Sequence, residues 1–223
     1  MISVTVVDYG ACNLFSVRRA LEKCGAEVTF ADTARAIDGA QRLVLPGVGA
    51  FEDGMAGLRE RNLVDALRNF ASSGRPMLGI CLGMQMLLSE SEEFGAHEGL
   101  QIIPGKVVAI PRTSADGQRH KIPHIGWSQL EVPVGGHEWS DSILADVKPG
   151  EAVYMVHSFT AVPDDASCRL ADCHYGERLI SAAIRSENIY GCQFHPEKSG
   201  EVGLRILSAF IGLHAGSRIQ HAA

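Results

Sequence analysis

Cys81 lies in Gly79-Ile80-Cys81-Leu82-Gly83, and His195-Pro196-Glu197 follows more than a hundred residues later. Pro76 to Ile80 is a short apolar run of strand type. Leu82 to Glu90 suits a helix, so Cys81 falls at a strand-to-helix junction, the nucleophile-elbow position. The flanking glycines let the chain turn sharply and leave room for a substrate, and a helix N-terminus favours thiolate over thiol. A cysteine at such a junction can also be a small buried hydrophobe. Against that stand the paired glycines, the turn, the distant His-x-Glu and a second glycine-rich turn. A sulfur nucleophile needs a base and the base an orienting group, which fits Cys81, His195 and Glu197 as a triad. Residues two apart in extended chain share a side, so His195 and Glu197 can face one site, with Pro196 stiffening the segment.

Attack on a carbonyl also requires donors for the oxyanion. The Leu82 N–H, immediately after the nucleophile, is one. The second is expected from Pro46-Gly47-Val48-Gly49, where Gly47 and Gly49 permit backbone orientations closed to other residues and Val48 supplies the N–H. A phosphate-binding turn is the alternative, but Gly-Lys-Ser/Thr and the dinucleotide spacing are both missing. Cys168, Cys173 and His174 lack a second ligand pair at metal-binding spacing, so no metal is expected. No cofactor is expected either.

These residues need a scaffold that brings them together. Ile2 to Val7 reads as a buried strand, followed by a turn and a helix with Leu14, Val17, Leu21 and Cys24 on its apolar face, closed by Gly25. Strands are predicted at Glu27 to Phe30 and Arg42 to Leu45. Helical sequence then runs from about Asp53 to Ser73, with Leu58, Leu63, Leu67 and Phe70 turned to the core. Such order predicts an α/β fold, a mainly parallel twisted sheet flanked by helices. Beyond Ile102 the texture changes to short strands: Lys106 to Ile110, Trp127 to Val132, Ala152 to His157, Leu179 to Arg185 and Ile189 to Phe194. They are expected to add antiparallel strands to the sheet in the C-terminal half. A last helix spans about Val202 to His214, and the tail after about 215 is expected to fray. Asp8 to Asn13, Pro46 to Phe51, Cys81 and His195 all fall at the carboxyl ends of strands, where α/β sheets place their chemistry.

With 223 residues and no linker-like or low-complexity stretch, one domain over residues 1–223 is expected. A net charge of −6 argues against a nucleic-acid footprint. Arg112 to Lys121, the nearest thing to a basic patch, reads as a solvated loop. The first strand is too short and lacks the basic leader of a signal peptide, and no apolar stretch is long enough to span a bilayer. A cytoplasmic protein with six reduced cysteines and no membrane contact is the expectation.

Gly79 to Gln85 together with His195-Pro196-Glu197 resembles the signature of class I (triad) glutamine amidotransferases, which have a flavodoxin-like fold. Asp8 to Leu14, Pro46 to Phe51, Ile122 to Trp127, Tyr154 to Phe159 and Gly191 to Ser199 resemble, more narrowly, the glutaminase subunits of imidazole glycerol phosphate synthases. The resemblance implies that Cys81 attacks the carboxamide of glutamine to form a glutamyl thioester. His195 would protonate the departing ammonia and then activate water, with Glu197 orienting it. Gln85 and Glu93 match substrate-holding positions, and Ser158 and Phe159 match a segment lining the pocket; Gln85 as a polar helix residue and Glu93 as part of a solvated acidic end are the bland alternatives. The partner so implied is a (β/α)8-barrel cyclase subunit, joined in a heterodimer, that uses the ammonia in histidine biosynthesis. Asn13, Trp127, Tyr154 and Lys198 would lie toward the docking face, although Trp127 and Tyr154 also suit core packing on late strands and Lys198 suits an ordinary surface lysine. The oxyanion turn would be completed only when the partner's ligand binds. Two positions depart from the family's pattern. Cys12 replaces its usual glycine, which would strain the turn if the position needs positive φ, and Ser128 replaces its usual asparagine. Alternatives are an ammonia-delivering subunit of another pathway, a cysteine peptidase on a related scaffold, and an idle binding module.

Overall fold

The structure, a computed structural model, describes residues 2–10, 13–136 and 138–214. In chain order its elements are β1 (Ile2–Val7), α1 (Leu14–Lys23), β2 (Ala26–Ala31), α2 (Ala34–Asp38), β3 (Leu43–Gly47), α3 (Phe51–Glu60), α4 (Val64–Ser72), β4 (Met77–Cys81) and α5 (Leu82–Met86). The second half has β5 (Leu88–Ser91), β6 (His97–Glu98), β7 (Ile103–Ala109), β8 (His124–Gln129), β9 (Ala152–His157), β10 (Phe159–Pro163), β11 (Arg169–Tyr175), β12 (Arg178–Ser186), β13 (Ile189–Cys192) and α6 (Gly200–Gly212).

The main sheet has seven strands in the order β11-β12-β13-β4-β3-β1-β2. From β2 to β13 the pairings are parallel, and β12 and β11 extend the sheet antiparallel. Read from β2, the parallel part runs 2-1-3-4-5 in order of appearance, the doubly wound order of flavodoxin-like sheets. Its strands alternate between two apolar layers. Val44, Leu78 and Ile80 pack with Val17 and Leu21 of α1 and Leu207 and Phe210 of α6. Leu43, Leu45 and Met77 pack on the opposite side with Leu58, Leu63, Leu67 and Phe70, as the helical spacing predicts. Burial on both faces explains why these strands read as unbroken apolar runs rather than alternating ones.

Three expectations need correction. The run from Asp53 to Ser73 is two helices, separated where Asn62 takes φ 56°. The helix expected to continue to Glu90 stops at Met86, and Leu88–Ser91 forms strand β5 instead. Its partners, Leu88 with Ile103 and Glu90 with Lys106, come from residues far along the chain, so tertiary pairing overrides local helix preference. Finally, the later strands do not all join the main sheet. β10-β7-β5-β6 makes a second sheet, and β8 and β9 form a separate antiparallel ribbon. Among the described residues, no helix is long and apolar enough to cross a membrane.

Candidate active site

Three adjacent parallel strands end at one level. Gly47 at the end of β3 pairs with Cys81 at the end of β4, and Cys192 at the end of β13 pairs with Ile80. The sheet therefore delivers the glycine turn, Cys81 and the His195 segment side by side. Cys81 has φ 55° and ψ −110°, a conformation costly for a residue with a Cβ. The positive φ belongs to the cysteine, not to its glycine neighbours. Those glycines are required by close approach: a Cβ on Gly83 would stand 1.8 Å from the Leu45 carbonyl oxygen, and one on Gly79 2.7 Å from the Met84 nitrogen. Their role is thus to seat α5 against β3 and β4, rather than to bend the chain or make room for a substrate. At five residues, α5 is also too short for its dipole to weigh heavily on the sulfur.

Gly47 and Gly49 serve differently as well. A Cβ on Gly47 would meet the Tyr9 hydroxyl at 2.7 Å and the Leu82 Cβ at 2.8 Å, whereas Gly49 has φ +98° and open space around it. Only Gly49 needs glycine for its backbone. The Tyr9 hydroxyl donates to the Pro46 carbonyl at 3.0 Å, and the Glu93 carboxylate accepts from the Phe51 N–H at 2.6 Å, capping α3. The Pro46–Phe51 turn is thereby tied at both ends, with Val48 and Gly49 between.

His195 and Glu197 meet by a route the sequence argument did not anticipate. Pro196–Lys198 is one turn of 3₁₀ helix rather than continued strand, and the Glu197 carboxylate folds back to accept from His195 Nδ1 at 2.8 Å. Both side chains are buried, 4% and 2% exposed. Burial alone would lower the His195 pKa, but hydrogen bonding and charge from Cys81 and Glu197 reverse this and raise it to about 9. Imidazolium is therefore the resting form near neutral pH. The His195 backbone is fixed on β9: its N–H donates to the Tyr154 carbonyl at 3.1 Å, and Ser199 Oγ bridges the His195 carbonyl, at 2.7 Å, and the Tyr154 N–H, at 3.0 Å.

A pocket of about 330 Å³ opens over the sulfur, lined by Val48, Gly49, Cys81, Leu82, Gln85, Glu93, Pro123, Val156, His157, Ser158, Phe159, His195 and Lys198. Gln85, Glu93, Ser158 and Phe159 thus all reach it, as do Val48, Gly49 and Leu82 of the expected oxyanion donors, whereas Gly47 does not line it. Trp127 is 59% exposed and meets Tyr154 edge-on at 6.0 Å, so the tryptophan is not a core residue. Lys198 is exposed at the pocket rim. Asn13 caps α1 through the Ser16 N–H, at 3.5 Å. Cys12 lies outside the described residues.

Two buried residues at the site escaped sequence reasoning. Gln193 donates through Nε2 toward Cys81 Sγ at 3.8 Å and accepts from Gln85 Nε2 at 3.0 Å. His157 hydrogen-bonds to the Phe159 carbonyl at 2.8 Å and to His124 at 3.1 Å, and His124 reaches Ser128 Oγ at 2.9 Å. The carbonyl only accepts, so neutral His157 carries its proton on Nδ1, and His124 in turn donates from Nδ1 and accepts from Ser128. Burial is the main reason both histidines titrate at about 4. Both histidines lie in segments that carry the family resemblance, but nothing local pairs them, and the Ser128 hydroxyl supplies the terminal donor. Among the described residues, no group of three His, Cys, Asp or Glu side chains could hold a metal. The Arg112 to Lys121 loop is mostly exposed but not simply solvated, since the His120 ring packs at a tilt against Tyr175, centroids 4.6 Å apart.

A buried cysteine and a histidine held by a carboxylate, both on a small, half-open pocket, together suit acyl transfer from a small amide or ester. Comparison with known proteins agrees. A family model described as glutamine amidotransferase class-I matches residues 5–212. The imidazole glycerol phosphate synthase subunit HisH of Legionella pneumophila is 55% identical over 211 residues, covering 95% of this chain and 99% of the relative. The subunit of the same name from Syntrophotalea carbinolica is 45% identical, covering 93% and 98%. Among solved structures, PurLQS from Thermotoga maritima superposes with a TM-score of 0.67 at 21% identity, over 95% of this chain and 98% of that one, a likeness of fold.

Proposed function

The chain belongs to the class-I glutamine amidotransferase family, and from that premise we propose that it is the glutaminase subunit of an imidazole glycerol phosphate synthase. It hydrolyses glutamine to glutamate and ammonia and delivers the ammonia to a partner subunit in histidine biosynthesis. What supports this reading most is the convergence of Cys81 and His195 on one pocket at the ends of β4 and β13, with Glu197 bonded to His195 Nδ1.

In the proposed mechanism Cys81 attacks the carboxamide carbon as a thiolate. The oxyanion is held by the Leu82 N–H and by the turn at Gly47, Val48 and Gly49. His195, already an imidazolium, gives its proton to the departing ammonia, leaving a glutamyl thioester. Neutral His195 then takes a proton from water, hydroxide attacks the thioester, and glutamate leaves as Cys81 is restored. Glu197 holds the imidazole through Nδ1. Gln85, Glu93, Ser158 and Phe159 hold the substrate in a pocket of a size that suits one free amino acid rather than an extended peptide.

Ammonia released into neutral water would be protonated and lose its nucleophilicity, so the site must open onto the consuming subunit. That partner is a (β/α)8-barrel cyclase in a heterodimer, docked where Asn13, exposed Trp127, Tyr154 and rim-sited Lys198 lie. The ties at Pro46 and Phe51 leave the intervening Val48–Gly49 segment as the part of the oxyanion turn for the partner's ligand to align. The chain acts as one domain in the cytoplasm. Glutamate release by the purified chain tests the reading, alone and with the cyclase and its nucleotide substrate, with Cys81→Ala as the blank. Low release that rises with liganded cyclase is expected. No release under either condition would overturn the glutaminase assignment, and release indifferent to the cyclase would overturn the partner.

A further inference from the structure

Gln193 is fully buried next to the nucleophile, a costly place for a primary amide unless its hydrogen bonds are organised. Their direction can be derived. The Phe159 carbonyl can only accept, and it receives Gln85 Nε2 at 3.4 Å as well as His157. Gln85 therefore presents its amide nitrogen at this end, and the same nitrogen lies 3.0 Å from Gln193. A donor there requires the Gln193 oxygen to face it, which leaves the Gln193 nitrogen to point at Cys81 Sγ, at 3.8 Å, a distance suited to a large sulfur acceptor. Turning the Gln193 amide over would set two nitrogens against each other and bring an oxygen lone pair toward the sulfur. The orientation is thus set from outside the pair, by a main-chain carbonyl on β10.

We infer that Gln193 is a positioning residue that donates a hydrogen bond to the Cys81 thiolate, with Gln85 holding its amide in the donating orientation. The proposal rests on Cys81 being the nucleophile of the glutaminase reading. A donor at this point favours the thiolate before attack, and again when water cleaves the thioester and the sulfur departs as an anion. It also opposes rotation of the sulfur away from the substrate. Gln85 thereby serves two purposes, lining the pocket and locking Gln193. Other titratable groups around the sulfur are His195, with Glu197 behind it, and Glu93, His157 and Lys198 around the pocket. None of them supplies a neutral donor whose contribution is independent of its own protonation.

The test is the pH profile of Cys81 alkylation by iodoacetamide, read at that residue by peptide mass spectrometry, in wild type, Gln193→Met and Gln193→Glu. Methionine keeps the length without a donor. Glutamate keeps the oxygen that accepts from Gln85 but sets an acceptor against the sulfur. Both profiles should move to higher pH, by about one unit for methionine and further for glutamate, so that alkylation on the rising limb of the wild-type profile slows roughly tenfold and recovers at higher pH. A mere packing role would change melting temperature without moving the profile. In wild type, the Gln193 side-chain amide resonance should shift through the same midpoint as alkylation, which needs no variant to fold. Unmoved profiles in folded variants, or an amide resonance indifferent to thiol ionisation, would overturn the proposal. Alkylation requires no glutamine, so a wild-type chain that released no glutamate would sink the functional reading and leave this test standing.

Discussion

Replacing Glu197 by glutamine should uncouple His195 from its charge partner without removing an acceptor. The His195 pKa stands at about 9 against 6.5 for an ordinary histidine. At 1.36 kcal/mol per pH unit, that gap is about 3 kcal/mol in favour of imidazolium, maintained against burial by Cys81 and Glu197 together. Both side chains of the His195–Glu197 pair are nearly inaccessible, so solvent screening removes little of it. A charge-assisted bond is about twice as strong as a neutral one, so Glu197→Gln should lose roughly half the gap and lower the His195 midpoint by at least about one unit. His195 stays mostly protonated at neutral pH in the variant, so the loss falls on ring orientation and on the charge that stabilises imidazolium when water is activated, and kcat should fall on the order of ten- to a hundredfold in the cyclase-coupled glutamate-release assay. A stability signature accompanies it. The His195 contribution is fully present below about pH 6.5 and is lost as pH rises through about 9, so the pH-dependent part of the variant's deficit should be largest in acid and vanish above that point. Glu197 Oε2 is buried with no hydrogen bond among the described residues, so an amide nitrogen placed there would cost a further ~1–3 kcal/mol at any pH. Imidazole NMR gives the midpoint directly. An unmoved His195 titration in a folded Glu197→Gln variant would refute the electrostatic account.

Other parts of the structure give further tests. His124 and His157 titrate at about 4 in the fold and near 6.5 unfolded, so the unfolded chain binds more protons between those values and stability must fall as pH drops from 7 to 5. One of the pair should cost about 2 kcal/mol over that range, seen as a lower urea midpoint, and His124→Phe should flatten the dependence; a wild-type midpoint unchanged at pH 5 would count against the buried neutral pair. Gly83→Ala puts a methyl 1.8 Å from the Leu45 carbonyl oxygen, so the elbow must separate from β3. A loss of about 4 kcal/mol or more is expected, a fall of roughly 10 °C in Tm, and a normal melting curve would show that the seat is looser than described. Trp127→Ala removes an exposed side chain. It should leave Cys81 alkylation unchanged while weakening cyclase binding by about tenfold, measured by titration calorimetry, as for the loss of an aromatic anchor; unaltered affinity would place the docking face elsewhere.

The elbow was legible because its signals are local. Residue type alone marks glycines at two positions around a cysteine, and the change from a buried-strand run to helical spacing identifies the turn. The apolar runs of β1, β3 and β4 likewise announced a parallel sheet, since strands buried on both faces carry their environment in their own composition. His195 and Glu197 were recognisable as a pair, but the 3₁₀ turn that joins them was not, because an isolated His-Pro-Glu is compatible with strand or turn. The fate of Leu88 to Ser91 was illegible for another reason: a helix-compatible run becomes a strand when β7 offers partners that no local pattern reveals.

What only the tertiary structure decided is which side chains stand next to the sulfur. Gln193 is 112 residues from Cys81 and reads as one polar residue in an apolar strand end. Its meaning appears only when β13 lies beside β4 and Gln85, directed by a carbonyl on β10, fixes which way the amide faces. The same holds for His157 and His124, paired across the β8–β9 ribbon. Residue types determined the reaction this chain is equipped to perform, because nucleophile, base and glycine turn are chemical identities. The direction of each hydrogen bond around them depends on distances between strands, and those are set by packing of the whole sheet.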